Sequence, residues 1–190
     1  MTNGFILDRI PTTKECKKLI KEYSMLPGIV DHSIQVMRVS MALVDNLKSG
    51  VLIDRDLVVS AALLHDITKT RSLTTKEHHD ISAGVLLREL GFNRVAEIVE
   101  EHVILHNFLP HGKLEEREII YYADKRVMHD KIVTIEERVQ DLIQRYGSTE
   151  EIRNLILSNM SMVWDVEKKI AGFMAIDIES AIQQTTDIVW

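Results

Sequence analysis

A chain of 190 residues with 45% hydrophobic residues can bury a core without disulfides, and its single cysteine, Cys16, excludes an intramolecular disulfide and a cysteine-rich zinc site. The net charge of −6, with basic residues scattered among acidic ones, argues against binding of a nucleic-acid polymer or an anionic membrane. No apolar run of about 18 residues occurs, and Asp8 and Arg9 interrupt the N-terminal stretch where a signal peptide needs an apolar core, so a cytoplasmic protein is expected.

The predicted secondary structure is all-α. Prolines and glycines are few, β-branched alternation is rare, and apolar residues recur with the 3.6-residue period of a helix. The first helix is expected to begin after Pro11, with Thr12 or Thr13 as its cap, and to stop at Pro27-Gly28. Asp31 is expected to cap the second helix, with His32 in its first turn.

The third predicted helix is capped by Asp54 and carries the apolar run VVSAALL. Such a run predicts a buried helix, and it leads directly into the pair His65-Asp66. Residues 70–75 are expected to form a polar loop. The next helix, HHDISAGVLLREL, should end at Gly91, which suits the position after a helix C-terminus.

The central part of the chain predicts two further helices. Asn93 is expected to cap the helix RVAEIVEEHVILH, which Pro110 and Gly112 interrupt. Residues 115–129 are expected to form the following helix, which contains Asp124 within the stretch YYADK. In the helix that Asn93 caps, His102 and His106 are expected to lie one turn apart on the same face.

The C-terminal part predicts more helices. Thr134 with Glu137, and Ser148 with Glu151, have the spacing of capping boxes. The apolar tail from Val166 is expected to be helical. It is favoured to lie on the core, with docking of a second subunit as the alternative, so a homodimer stays open. With no linker or repeat, residues 1–190 are expected to form a single domain.

Histidine and aspartate side chains recur on five of the predicted helices. A buried imidazole beside a carboxylate is costly unless both have a partner, and a divalent cation can serve both. Nitrogen and oxygen ligands without thiolate suit Mn, Fe, Co, Ni, Mg or Zn, and neither the metal nor the number of ions, one or two, follows from the sequence. The candidate ligands are His32, His65, Asp66, His79, His102 and Asp124.

The order of these residues resembles the H…HD…D signature of the HD-domain metal-dependent phosphohydrolases. The local form HDITK is similar to the HDIG subgroup, with Thr68 where glycine is usual. The resemblance covers about residues 28–146. It implies a single HD-type helical bundle with the metal site in its centre and with the N- and C-terminal helices packed on it.

The resemblance also implies ligand roles. His32, His65, Asp66 and Asp124 would bind a first metal ion, and His79 and His102 resemble the additional ligands of two-metal members. The pair Ala83-Gly84 after His79 reverses the usual order, and Val103 stands where many two-metal members have a second histidine. The Gly-Tyr-Pro motif of the cyclic-dinucleotide phosphodiesterases is missing, so hydrolysis of cyclic-di-GMP is not predicted.

The implied reaction is hydrolysis of a phosphate ester or anhydride in a small, nucleotide-like molecule, where the nucleotide rests on family analogy. Asp66 and Lys69 are the predicted catalytic residues: Asp66 can bridge two ions, and Lys69 can direct its ammonium to phosphate oxygens. No base-stacking residue can be assigned. The remaining substrate-binding candidates are Arg71, His106, Lys125 and Arg126.

Two alternatives stay open at this stage. One is hydrolysis of a dinucleoside polyphosphate, a reaction of some small HD proteins of similar length. The other is a non-enzymatic regulatory module, in which the metal is structural or a bound nucleotide is sensed for a partner protein. A coordination position left free by the protein favours the enzyme, and a position filled by a protein ligand favours the structural role.

Overall fold

The computed structural model describes residues 8–185. Within that part, ten helices and one two-stranded antiparallel sheet are present, so the prediction of an all-α chain is confirmed. The elements are α1 (Thr13–Glu22), α2 (Pro27–Asp45), α3 (Arg55–Leu64), α4 (Lys69–Thr75), α5 (His79–Glu89), α6 (Asn93–Glu100), α7 (Glu116–Lys125), β1 (Val127–Met128), β2 (Lys131–Ile132), α8 (Ile135–Tyr146), α9 (Glu150–Phe173) and α10 (Ile178–Gln183).

Helix α3 lies at the centre of the bundle, in contact with α1, α2, α6 and α7. Its residues Val58, Ala61 and Leu63 are fully buried, as a helix that is apolar on most of its circumference requires. Because α3 ends inside the bundle, the residues that follow it are buried as well. His65 and Asp66 have no exposed surface.

Several helix ends form where the sequence predicts them. Thr12 and Thr134 each accept a hydrogen bond from the backbone three residues on, within a complete capping box. The carboxylate of Asp54 accepts a hydrogen bond from the backbone N–H of Leu57 at the start of α3. Gly91 follows α5 with a φ of +82°, a conformation that glycine adopts without strain.

Three predicted boundaries are wrong. Helix α2 begins at Pro27 rather than near Asp31, because the fixed φ of proline suits the first position of a helix as well as a stop. His32 therefore lies in its second turn. Residues 69–75 form the short helix α4 instead of a loop. Helix α6 ends at Glu100, so the expected helical run to residue 106 does not form.

Other differences lie around the second half of the chain. The predicted helix through residue 129 ends at Lys125, and a hairpin follows in which His129 has a φ of +57°. Thr149, rather than Ser148, caps α9. That helix continues without interruption past Val166, because its buried positions Val163, Val166 and Ile170 keep the helical spacing.

The terminal helices are in contact with the central ones. In α1, Cys16 and Ile20 are buried, and the helix lies against α3. Helix α9 contacts α7 and α8, and α10 contacts α2. That residues 1–190 form one domain stays a prediction. Among the described residues, no helix combines the length and apolarity needed to cross a membrane.

Candidate metal centre

Three of the predicted ligand histidines are held in the same way. The ring Nδ1 of His65 donates to the carbonyl of Ala62 at 2.7 Å, and that of His102 donates to the carbonyl of Val99 at 2.6 Å. The Nδ1 of His32 donates to the carbonyl of His129 at 2.9 Å. Each bond occupies Nδ1, so Nε2 is the ring nitrogen left for another partner.

The first ligand group forms around the carboxylate of Asp124. Its Oδ1 lies 3.0 Å from Nε2 of His32 and 3.7 Å from Nε2 of His65. The Nε2 of His65 also lies 3.4 Å from Oδ2 of Asp66. Ligand atoms of His32, His65 and Asp66 all lie within 4.8 Å of one another, which is a spacing that one cation can span.

The second ligand group forms around the other oxygen of Asp66. Its Oδ1 lies 3.3 Å from Nε2 of His79 and 3.6 Å from Nε2 of His102. The two Nε2 atoms are 3.3 Å apart. Asp66 therefore presents one oxygen to each group, at the junction between them.

Burial and charge set the protonation of these groups. Burial alone would raise the pKa of Asp66 and Asp124, but neighbouring imidazole and ammonium groups hold both values well below the ordinary one. Burial lowers the pKa of His79 to about 4 and also lowers that of His102. For His65, burial is outweighed by the carboxylates of Asp66 and Asp124, so the pKa is raised.

Two buried atoms test whether a cation fits this cluster. The Nε2 of His65 and the Oδ1 of Asp66 are enclosed, and neither has a hydrogen-bond partner. A buried acceptor without a partner costs free energy, and here imidazole nitrogens and carboxylate oxygens face one another. A divalent cation between them satisfies both, and nitrogen and oxygen donors suit the metals expected from the sequence.

Two lysines already neutralise the carboxylates. The Nζ of Lys69 lies 2.7 Å from Oδ2 of Asp66, and its side chain is 37% exposed. The Nζ of Lys125 lies 2.9 Å from Oδ2 of Asp124 and also donates to the carbonyl of His102. Lys125 is buried beneath Tyr121, so it stabilises the cluster from the protein side, whereas Lys69 stands at the exposed side.

The other predicted substrate-binding residues do not contact the candidate ligands. Arg71 pairs with Glu77 at the surface at 2.5 Å. The guanidinium of Arg126 is buried and contacts the Tyr122 hydroxyl, the Val133 carbonyl and Glu179. The expectation that His106 shares a helical face with His102 is wrong, because α6 ends first. The His106 ring is 61% exposed and pairs with Glu101.

A contact that the sequence analysis did not identify positions His79. The hydroxyl of Thr68 donates to the backbone carbonyl of His79 at 2.7 Å and accepts a hydrogen bond from the Ser82 hydroxyl at 2.9 Å. Thr68 thus ties the turn after α3 to the start of α5. The sequence shows threonine at position 68, where the HDIG subgroup usually has glycine, but it does not indicate which group the hydroxyl contacts.

An open cleft of about 710 Å³ reaches the cluster from the surface. His32, Asp66 and Lys69 line its inner part. Arg138, Arg145 and Tyr146, all on α8, line the cleft as well. Nothing in the sequence indicated these three residues, because α8 follows the last candidate ligand in the chain and only the fold brings it to the cleft.

The comparisons with known proteins point to one family. The sequence profile of the HD domain matches residues 29–128, a little more than half of the chain. An uncharacterized protein of Methanocaldococcus jannaschii is 30% identical over 149 residues, which cover 70% of this chain and 86% of that protein. No solved structure matches the chain significantly.

Other relatives carry enzyme names, among them a phosphodiesterase and a methyltransferase. A dihydroneopterin 2′,3′-cyclic phosphate phosphodiesterase of M. jannaschii is 34% identical over 113 residues, 52% of this chain and 45% of that protein. A tRNA (cytidine(56)-2′-O)-methyltransferase of Picrophilus torridus is 26% identical over 152 residues, 72% of this chain and 42% of that protein. The chain therefore spans less than half the length of either named enzyme.

Proposed function

The chain belongs to the HD-domain family of metal-dependent phosphohydrolases, and from this membership we propose that it hydrolyses a phosphate ester or anhydride of a small, nucleotide-like molecule. HD domains bind divalent metals. Five of the candidate ligands of this chain form two groups with the spacing that a cation needs, and Asp124 lies beside His32 and His65. The identity of the metal and the presence of two ions, both of which Asp66 would help to hold, are part of the proposal.

The observation that carries the proposal is the shared orientation of His32, His65 and His102. In each ring Nδ1 donates to a backbone carbonyl, so Nε2 is the ring nitrogen that faces the carboxylates. Buried imidazole nitrogens and carboxylate oxygens at this spacing are stabilised by a positive charge between them. The arrangement therefore favours a cation held by several protein ligands next to an open cleft.

Different residues have different roles in the proposed reaction. When bound, a divalent cation supplies a Lewis acid for the phosphoryl group and makes water acidic enough to attack at neutral pH. Asp66 and Asp124 remain ionised, and His79 and His102 remain neutral, which is the state that ligands need. Lys69, at the exposed side of Asp66, offers its charge to phosphoryl oxygens.

The substrate class rests on the cleft and on one relative. A cleft of about 710 Å³ exceeds what inorganic phosphate fills and suits a molecule of nucleotide size. The phosphodiesterase relative supports a small phosphorylated substrate, and cyclic phosphates join the candidates on that account. Methyl transfer is not proposed, because the aligned segment is less than half of the methyltransferase.

Elemental analysis and a hydrolysis screen on the same preparation test the function. Purified protein should contain Mn, Fe, Co, Ni, Mg or Zn. With a suitable metal it should hydrolyse at least one member of a panel of nucleotides, cyclic nucleotides and dinucleoside polyphosphates. An Asp66→Ala preparation, purified identically, controls for contaminating phosphatases. Bound metal without turnover of any panel member would favour the regulatory module instead.

A further inference from the structure

Helix α8 lines part of the cleft that reaches the metal cluster. Its residues Arg138, Arg145 and Tyr146 all line the cleft, Arg138 from the first half of the helix and the other two from its C-terminal end. None belongs to the HD signature, and all lie beyond the residues that the family profile matches. The signature therefore assigns no role to them.

A single carboxylate holds the two arginines in place. Oδ2 of Asp141 lies 2.9 Å from an amino nitrogen of Arg138, and Oδ1 lies 2.6 Å from Nε of Arg145. Two guanidinium groups share one carboxylate, so this group of three side chains keeps a net positive charge. Such a fixed pair is prepared to bind an anion without losing much side-chain freedom.

One hydrogen-bond donor of Arg138 has no partner among the described residues. Its side chain is only 15% exposed, and its Nε is buried without a hydrogen-bond partner. The positive charge of the guanidinium also repels the ammonium of Lys69, so the two groups lie within electrostatic reach of each other. The cleft holds the carboxylates of Asp31 and Asp130 too, so its positive charge is concentrated at Lys69 and at the two arginines.

The hairpin connects this helix to a candidate ligand. An amino nitrogen of Arg145 lies 3.2 Å from Nε2 of His129, and the carbonyl of His129 accepts the hydrogen bond from His32. The side of the cleft that carries the arginines is therefore fixed relative to the metal cluster.

The outer part of the cleft is apolar. Tyr146, the last residue of α8, lines it with 57% of its surface exposed, and Leu26 and Leu73 line it as well with about half of theirs exposed. Exposed apolar side chains around a polar site often mark the place where the organic part of a ligand lies. An aromatic ring offers a flat face on which a planar heterocycle stacks favourably.

We propose that α8 recognises the substrate: Arg138, supported by Arg145, binds a phosphate group, and Tyr146 stacks on a planar ring of the same molecule. This inference rests on the proposed function for the reaction at the metal cluster. It narrows the substrate class to phosphorylated molecules with a planar heterocycle, and it assigns the stacking residue that the sequence left open.

Binding to the full chain, measured by NMR chemical-shift titration after removal of metal with a chelator, tests the inference without turnover. The probes are GMP, AMP and ribose 5-phosphate, which lacks the ring. At least one nucleotide should bind about tenfold more tightly than ribose 5-phosphate. Tyr146→Ala should abolish that difference, and Tyr146→Phe should keep it. Arg138→Gln should weaken all three probes about tenfold, with partial recovery in Arg138→Lys.

Leu155→Ala is the matched control, because Leu155 is 68% exposed on α9 and does not line the cleft. Thermal unfolding of each variant shows that the fold is kept. The inference is overturned if ribose 5-phosphate binds as tightly as both nucleotides, or if folded Tyr146→Ala and Arg138→Gln bind like the wild type. If nucleotide binding is weakened by Tyr146→Ala and Arg138→Gln but no metal-loaded form hydrolyses a nucleotide, the inference about α8 holds and only the proposed function is contradicted.

Discussion

His79 and His102 bring their Nε2 atoms to within 3.3 Å of each other, and both atoms face the same oxygen of Asp66. Burial lowers the pKa of both rings, so neither is protonated at neutral pH. Two neutral imidazoles and one carboxylate oxygen at this spacing have the donor atoms of a metal-binding group, and their role as ligands stays a prediction.

Replacement of either histidine should therefore lower the metal content. In His79→Ala or His102→Ala, loss of one of the three ligands should reduce the content from two ions per chain toward one, because the group around His32 and His65 is left intact. Elemental analysis of dialysed protein measures this. His78→Ala, at the exposed neighbouring position, is the control. An unchanged content in both variants would show that these histidines are not ligands.

Asp66→Ala should have a larger effect than either histidine variant. Asp66 is the member common to both ligand groups, so its removal should reduce the metal content to near zero and abolish turnover. Asp66→Asn keeps the shape but loses the charge, and it should behave similarly. Asp165→Asn, at an exposed position of α9, is the matched control. Retention of both ions in Asp66→Ala would contradict the bridging position of this carboxylate.

Lys69→Ala should separate metal binding from turnover. The ammonium of Lys69 is not a ligand, so the metal content should be unchanged. Turnover should fall by about 10- to 100-fold, because a charge that can stabilise the phosphoryl oxygens is lost. Lys14→Ala, on the exposed face of α1, controls for a general loss of positive charge. Loss of metal from Lys69→Ala would instead show that this lysine maintains the cluster itself.

The sequence predicted those features of the fold that depend on local chemistry. The caps Thr12, Asp54 and Thr134 sit where short polar side chains precede apolar helical runs. The burial of His65 and Asp66 also follows from the apolar run before them. Family membership was accessible for the same reason, because the signature depends on the identity and order of a few residues.

Features that depend on tertiary contacts were not accessible. Nothing local distinguishes Pro27 as the first residue of a helix from Pro27 as a stop, and the hairpin at His129 is stabilised partly by its contact with His32. Proximity in sequence to Asp124 did not indicate which arginine lies at the cleft. Arg126 follows Asp124 closely but points into another buried network, whereas Arg138, farther along the chain, lines the cleft.

Thr68→Val should disturb the second ligand group through the backbone. Valine has the shape of threonine but can neither donate to the carbonyl of His79 nor accept from the Ser82 hydroxyl. The free energy of unfolding should fall by about 1–3 kcal/mol, because buried groups lose their partners. The metal affinity of the His79 group should fall as well. Denaturant unfolding and metal titration measure the two effects.

Ser82→Ala is the matched comparison for that variant, because it removes the bond from Ser82 to Thr68 and the long one of 3.4 Å from Ser82 to the His79 carbonyl, but keeps the bond of 2.7 Å from Thr68 to that carbonyl. It should lower the stability less and leave the metal affinity unchanged. Equal effects of the two substitutions on metal affinity would argue against a role of the Thr68 hydroxyl in positioning His79.

His79 should also give the metal-free protein a defined pH dependence. Burial lowers its pKa from 6.5 to about 4, so between these values the unfolded chain binds a proton that the folded chain does not. The contribution of His79 to the free energy of unfolding should therefore decrease as the pH falls from about 6.5 to 4, by about 3 kcal/mol at most. NMR titration of the imidazole should give a midpoint near pH 4. In denaturant unfolding, His79→Gln should lose stability less steeply than the wild type over this pH range. If the two curves of stability against pH are parallel and the imidazole titrates with a midpoint near pH 6.5, the ring is exposed to solvent.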